Sequence, residues 1–166
     1  YNTLMDGFCL RGNTDTALEV LNTMRSNGIM PDCYSYTILI NGYCKRQEVD
    51  TAISLLRQMS AEGLKPEVET YNTLMHGLFQ MGRHNEVDNL FHEMVKEGNK
   101  PNIVTCRILL DGLCKNQYMD EAISFFQMME CKDTVHDIQL HTILIDGLFK
   151  NRKLDEARII FDKLAL

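Results

Sequence analysis

The chain of 166 residues has no tryptophan and only three prolines, and its six cysteines include no C-x-x-C pair. That spacing excludes the usual zinc and dithiol motifs. No run approaches the ~18 consecutive apolar residues of a membrane span, so no membrane partner is expected, and the first residues lack the charged start and apolar run of a signal peptide. Positive charge is scarce: 17 basic against 23 acidic side chains leave a net charge of -6, so the bulk electrostatics do not advertise a nucleic-acid partner. The five histidines, His76, His84, His92, His136 and His141, show no H-E-x-x-H or other ligand spacing. His84 and Asp88 read as a surface pair on one helix face. Glycine-rich phosphate loops, nucleophile elbows and paired-carboxylate constellations are also missing. These absences lead us to expect a non-enzymatic chain with no catalytic residues, no metal and no cofactor.

What the chain does have is a period. Tyr1, Tyr36, Tyr71, Cys106 and His141 are evenly spaced thirty-five residues apart, and Gly7, Gly42, Gly77, Gly112 and Gly147 follow them in step. The same register carries Ala17, Ala52, Val87, Ala122 and Ala157, then Met24, Met59, Met94, Met129 and Leu164, without insertion or deletion. A fixed period of this size means stacked repeats, each unit contacting its neighbours, rather than one closed core. The units are 1–32 (partial), 33–67, 68–102, 103–137 and 138–166 (partial), and the mid-unit ends lead us to expect a segment of a longer array. Leu4, Met5 and Phe8 at one end and Ile160, Phe161 and Leu164 at the other would then be exposed, which predicts end-to-end self-association.

Within a unit the apolar residues mark two helices. Tyr71, Leu74, Met75, Leu78 and Phe79 follow the i, i+3, i+4, i+7, i+8 stripe, and Val87, Leu90, Phe91 and Met94 repeat it one helix later. Gly12 and Gly82 mark the break between helices, but Gln47, Gln117 and Arg152 fill that slot elsewhere, so glycine is not expected to be essential there. Asp15, Asp50, Asp120 and Asp155 open the second helix, at the positive end of its dipole. Gly28, Gly63 and Gly98 close it, each followed by Pro31, Pro66 or Pro101. The fourth unit has Asp133 and His136 instead, so its outgoing turn should be the least rigid. Cys9, Cys44 and Cys114 share a slot with Phe79 and Phe149, which marks them as buried, reduced thiols.

The strings Tyr71-Asn72-Thr73-Leu74-Met75, Asp111-Gly112-Leu113-Cys114-Lys115 and Leu154-Asp155-Glu156-Ala157 in one unbroken register resemble the pentatricopeptide repeat family. The class built only of thirty-five-residue units matches best, and the run Tyr71 to Phe79 is similar to restorer-of-fertility-like members from plants. The resemblance implies an all-α fold, a right-handed superhelical solenoid of helix-turn-helix repeats. Its function would be sequence-specific binding of single-stranded RNA in RNA processing, stability or translation, in the mitochondrion or alternatively the chloroplast. The tetratricopeptide repeats, which bind peptides, have a thirty-four-residue period and a tryptophan-led pattern, and neither is found here. A protein-protein interaction scaffold on the same superhelix is the alternative, and it would account for the acidic surplus.

The resemblance also implies which residues do the work. Base reading would fall to Asn2 with Asp32, Thr37 with Glu67, Asn72 with Asn102, and Arg107 with Asp137, with Thr142 lacking its partner. Short amides, hydroxyls and carboxylates suit the edge of an unstacked base. By the family's pattern, Asn2 with Asp32 leans to uracil, Asn72 with Asn102 to a pyrimidine, and Thr37 and Thr142 to purines. Glu67 and Arg107 depart from the pattern. Tyr34 and Val104 would wedge against bases, while Glu69 and Gln139 fill that slot elsewhere. Lys45, Lys115 and Lys150 would contact phosphate, with Leu10 and Gln80 in the remaining two units. Asp32, Asn102 and Asp137 equally read as N-caps, a role worth ~0.5–2 kcal/mol.

Overall fold

The computed structural model describes residues 1–130 and 138–164, and every regular element among them is an α-helix. Ten helices follow one another in pairs: α1 (Asn2–Leu10), α2 (Thr14–Ser26), α3 (Cys33–Lys45), α4 (Val49–Ala61), α5 (Val68–Gln80), α6 (His84–Lys96), α7 (Ile103–Lys115), α8 (Met119–Glu130), α9 (Ile138–Lys150) and α10 (Leu154–Leu164). They fall into two compact units, Tyr1–Lys100 and Pro101–Leu166. The turn expected at Asp133 and His136, and Cys131 and Asp137 with it, lies outside the described residues.

In the first unit α1, α3 and α5 pack side by side, and α2, α4 and α6 each pack on the preceding helix. α2 and α4 also touch the next odd-numbered helix, so each hairpin is buttressed by its successor. In the second unit α7 and α9 pack together in the same way, with α8 packed on α7 and α10 on α9. The apolar stripe dictates this order. Tyr71, Leu74, Met75, Leu78 and Phe79 of α5 and Val87, Leu90 and Met94 of α6 are all buried, while Phe91 is only half-buried. Met5 is also fully buried beneath its neighbours, whereas Leu4 and Phe161 remain exposed.

The glycine period has a packing cause. A Cβ on Gly42 would lie 2.7 Å from Cys9 Sγ, and one on Gly77 would lie 2.8 Å from Cys44 Sγ. In the second unit the same contact joins Gly147 to Cys114. Odd-numbered helices therefore cross at a point where only glycine fits, with a buried thiol as the other half of the contact. Burial pushes the Cys44 thiol up to about 12 and, with Asp111 and Asp146 adding to it, the Cys114 thiol up to about 11.

Helix ends obey one rule throughout. The second residue after each first helix is left-handed: Gly12 and Gly82 at φ 77° and 68°, but also Gln47, Gln117 and Arg152 at 63°, 69° and 60°. The following N–H returns to the helix, as in Glu48 N to Tyr43 O at 2.9 Å, which is the Schellman arrangement. Glycine is thus absent from three turns whose backbone still favours it. Exposed ion pairs tie the hairpins together on the outside: Asp15 to Arg46 at 2.9 Å and Asp50 to Arg83 at 2.8 Å in the first unit, and Asp120 to Lys153 at 2.5 Å in the second.

Candidate nucleic-acid interface

In the first unit, stacking α1, α3 and α5 places Asn2, at the start of α1, and Thr37, the fifth residue of α3, beside the start of the next odd-numbered helix. Asp32 is the N-cap of α3, accepting from Ser35 N at 2.7 Å in a capping box. Its Oδ1 also accepts from Asn2 Nδ2 at 3.4 Å, so two residues thirty positions apart stand together. Ser35 links them: its hydroxyl lies 2.8 Å from both Asn2 Oδ1 and Asp32 Oδ1. Burial raises the Asp32 pKa, but the bonds from Ser35 and Asn2 outweigh it and hold the carboxyl below its ordinary value. It is therefore ionised at neutral pH while half its acceptor capacity, on Oδ2, is uncommitted by these bonds.

Thr37, the equivalent of Asn2 in α3, meets Thr70 at 2.9 Å between hydroxyl oxygens, and its own hydroxyl bonds Cys33 O at 2.9 Å. It is not joined to Glu67, which is exposed at the N-cap of α5 and makes no side-chain cap bond. Asn72 in α5 is only 5% exposed, and its buried Oδ1 finds no partner among the described residues. In the second unit Asn102 caps α7 through Thr105 N at 3.0 Å, and the Thr105 hydroxyl reaches the same Oδ1 at 3.1 Å. Arg107 is half-buried on α7, and Thr142 is exposed on α9, its hydroxyl donating to Ile138 O at 2.8 Å. Both cap roles read from the sequence at Asp32 and Asn102 are thus filled, and Asp137 lies outside the described residues.

Tyr34 and Val104 are exposed at the second position of α3 and α7, 60% and 46% respectively. Glu69 and Gln139, in the same slot, are exposed too. The three lysines differ. Lys115 Nζ is 2.6 Å from Asp111 and Lys150 Nζ is 2.6 Å from Asp146, each one turn back on its own helix. Lys45 has Asn41 at that place and no ion pair with any described residue. Reasoning from sequence missed these aspartates and the hydroxyls of Ser35, Thr70 and Thr105. The signal for the former was the i, i+4 spacing in Asp111-Gly112-Leu113-Cys114-Lys115, and for the latter a hydroxyl slot repeated three times. Among the described residues no three His, Cys, Asp or Glu side chains gather as a metal set.

The model of the PPR repeat family matches residues 1–45, 35–78, 66–115 and 103–148, and a PPR repeat model matches 140–165. The crystal structure of the pentatricopeptide repeat protein PPR10 from maize superposes with a TM-score of 0.82 at 24% identity, over 99% of this chain and 24% of that one. PPR10 in complex with an 18-nt psaJ RNA element gives 0.84 at 25% identity, over 96% and 23%. The PPR domain of Arabidopsis thaliana protein-only RNase P 1, in complex with tRNA, gives 0.73 at 17% identity, over 98% and 86%. This chain thus spans about a quarter of PPR10. No curated protein matches it in sequence. The fold is an all-α repeat solenoid.

Proposed function

The chain belongs to the pentatricopeptide repeat family, and from that premise we propose that it binds single-stranded RNA, reading bases one repeat at a time. The observation that carries this reading is the Asn2–Asp32 pair. Two polar side chains from successive hairpins stand within hydrogen-bond distance, anchored by Ser35. The amide keeps one N–H and one lone pair, and the carboxylate one oxygen, for a base edge. Asn72 holds the equivalent place in α5 and is proposed as a reader with Asn102. Asp32, Thr37, Glu67, Asn102, Arg107, Asp137 and Thr142 complete the proposed readers. Tyr34 and Val104 would stack on bases, and Lys45, Lys115 and Lys150 would face phosphate. That PPR10 was solved in complex with an 18-nt RNA element supports RNA as the ligand class.

In this proposal the chain carries out no catalytic step. It occupies a transcript in a mitochondrion, or alternatively a chloroplast, and acts in RNA processing, stability or translation by holding or delivering that strand. The test is binding to randomised single-stranded RNA across a salt series. An affinity that falls as salt rises is the expected result, because counterions compete for the lysines. Absence of RNA binding at low salt would contradict it. That outcome would favour a protein-interaction scaffold, a reading that the net charge of -6 and the two aspartate-held lysines would then suit.

A further inference from the structure

We infer that the buried hydroxyl supplied by Ser35 and Thr70, the third residue of the following first helix, is a positioning residue that orients the base-reading side chain of the preceding repeat. The inference rests on the RNA-reading proposal and adds a further member at the positions read by Asn2 and Thr37. Both hydroxyls are almost fully buried, with Ser35 at 0% and Thr70 at 1% exposure, so neither touches a base itself.

Proton accounting shows what the hydroxyls do. Thr37 has one hydroxyl proton and two lone pairs. The proton goes to Cys33 O at 2.9 Å, a carbonyl that only accepts. In the 2.9 Å contact between the two threonine hydroxyls, Thr70 is therefore the donor and Thr37 the acceptor. One lone pair remains, so Thr37 is committed to accept from an N–H of the base. At the first pair, Ser35 receives Asp32 N–H at 3.3 Å and shares its own proton between Asn2 Oδ1 and Asp32 Oδ1. Asn2 Nδ2 donates to the same carboxylate. Donor and acceptor ends of the amide are thereby told apart: Oδ1 turns to the hydroxyl and Nδ2 to the carboxylate. In the second unit the Thr105 hydroxyl contacts the N-cap reader Asn102 at 3.1 Å.

The sequence carries a matching pattern at a fixed offset of thirty-three residues. Asn2, Thr37 and Asn72 are followed by Ser35, Thr70 and Thr105, whereas Arg107 is followed by Leu140. Leu140 is fully buried and has no hydroxyl to offer. The repeat whose reader departs from the short polar type is the one that has lost the orienting group.

The test uses the full chain and a pool of randomised single-stranded RNA, from which base preference is read nucleotide by nucleotide. Thr70→Val is the decisive variant, because it keeps the shape and removes only the hydroxyl. Thr70 belongs to no capping box, since Glu67 makes no side-chain cap bond. We expect preference at one nucleotide, the one read by Thr37, to weaken about two- to tenfold, the worth of one hydrogen bond, with other nucleotides unchanged. Thr70→Ser should retain the preference, and Ser35→Ala should relax the nucleotide read by Asn2 while Ser35→Thr restores it. Equal preference in Thr70→Val and the parent chain overturns the inference. Thr37→Ala separates the two levels. If it relaxes one nucleotide while Thr70→Val does not, base reading stands and positioning falls; if it relaxes none, both fall.

Discussion

Lys115 Nζ lies 2.6 Å from Asp111 Oδ2, one turn back on α7, so a lysine in the expected phosphate position is already neutralised by its own helix. Lys150 and Asp146 repeat the arrangement at 2.6 Å on α9, and only Lys45 among the three lacks such a partner. An RNA phosphate must compete with those carboxylates. Lys45→Ala should therefore weaken RNA binding more than Lys115→Ala and flatten the log–log salt dependence by about 0.7. Asp111→Asn should strengthen binding about twofold, since an exposed i, i+4 pair is worth ~0.3–0.5 kcal/mol. Titrations of the three variants across salt concentration check the order.

The side chain of Thr14 is fully buried, and its Oγ1 finds no partner among the described residues. Val49 fills the equivalent slot in the next repeat and is buried there without cost. Thr14→Val keeps the shape that packs beneath Gly42 and removes the desolvated hydroxyl. It should stabilise the chain by about 1 kcal/mol, measured by denaturant unfolding.

Gln47 holds φ at 63° where Gly12 and Gly82 stand in sister repeats. A left-handed residue with a Cβ costs ~1–2 kcal/mol, part of which is offset by the extra freedom glycine gives the unfolded chain. Gln47→Gly should therefore raise stability by about 0.5–1 kcal/mol. Gln47→Val should lower it, because β-branching is least tolerated there. Thermal unfolding of the two variants reads the sign directly.

Much of this molecule was legible because its repeats compare themselves. The recurrence of Gly42, Gly77 and Gly147 gave the register, and the stripe from Tyr71 to Phe79 gave the buried face. Asp32 and Asn102 announced themselves as caps by residue type and place. Periodicity reports which face a residue occupies but not which atom it meets. Met5 looked like an exposed end residue and is buried. That the Thr37 hydroxyl meets Thr70 was hidden, because the contact joins two helices and depends on which atoms of a shared face come within reach. The Asp111–Lys115 pair was within the reach of sequence, in its i, i+4 spacing on one helix. The left-handed turn at Gln47 was hidden for another reason: side-chain variety there masks one shared backbone conformation.

The measurement that tests the account most directly is the base preference of Asn2→Thr on single-stranded RNA, with Asp32 and Ser35 left in place. By the family's pattern the parent pair leans to uracil, and a threonine beside the aspartate to guanine. The account predicts that preference at one nucleotide moves from uracil to guanine by ~1–3 kcal/mol, the size of a good side-chain-to-base contact in DNA readout, while the salt dependence is unchanged because no phosphate contact has been touched. An Asn2→Thr chain that folds normally by circular dichroism, binds RNA and keeps the parent's preference at every nucleotide would contradict it.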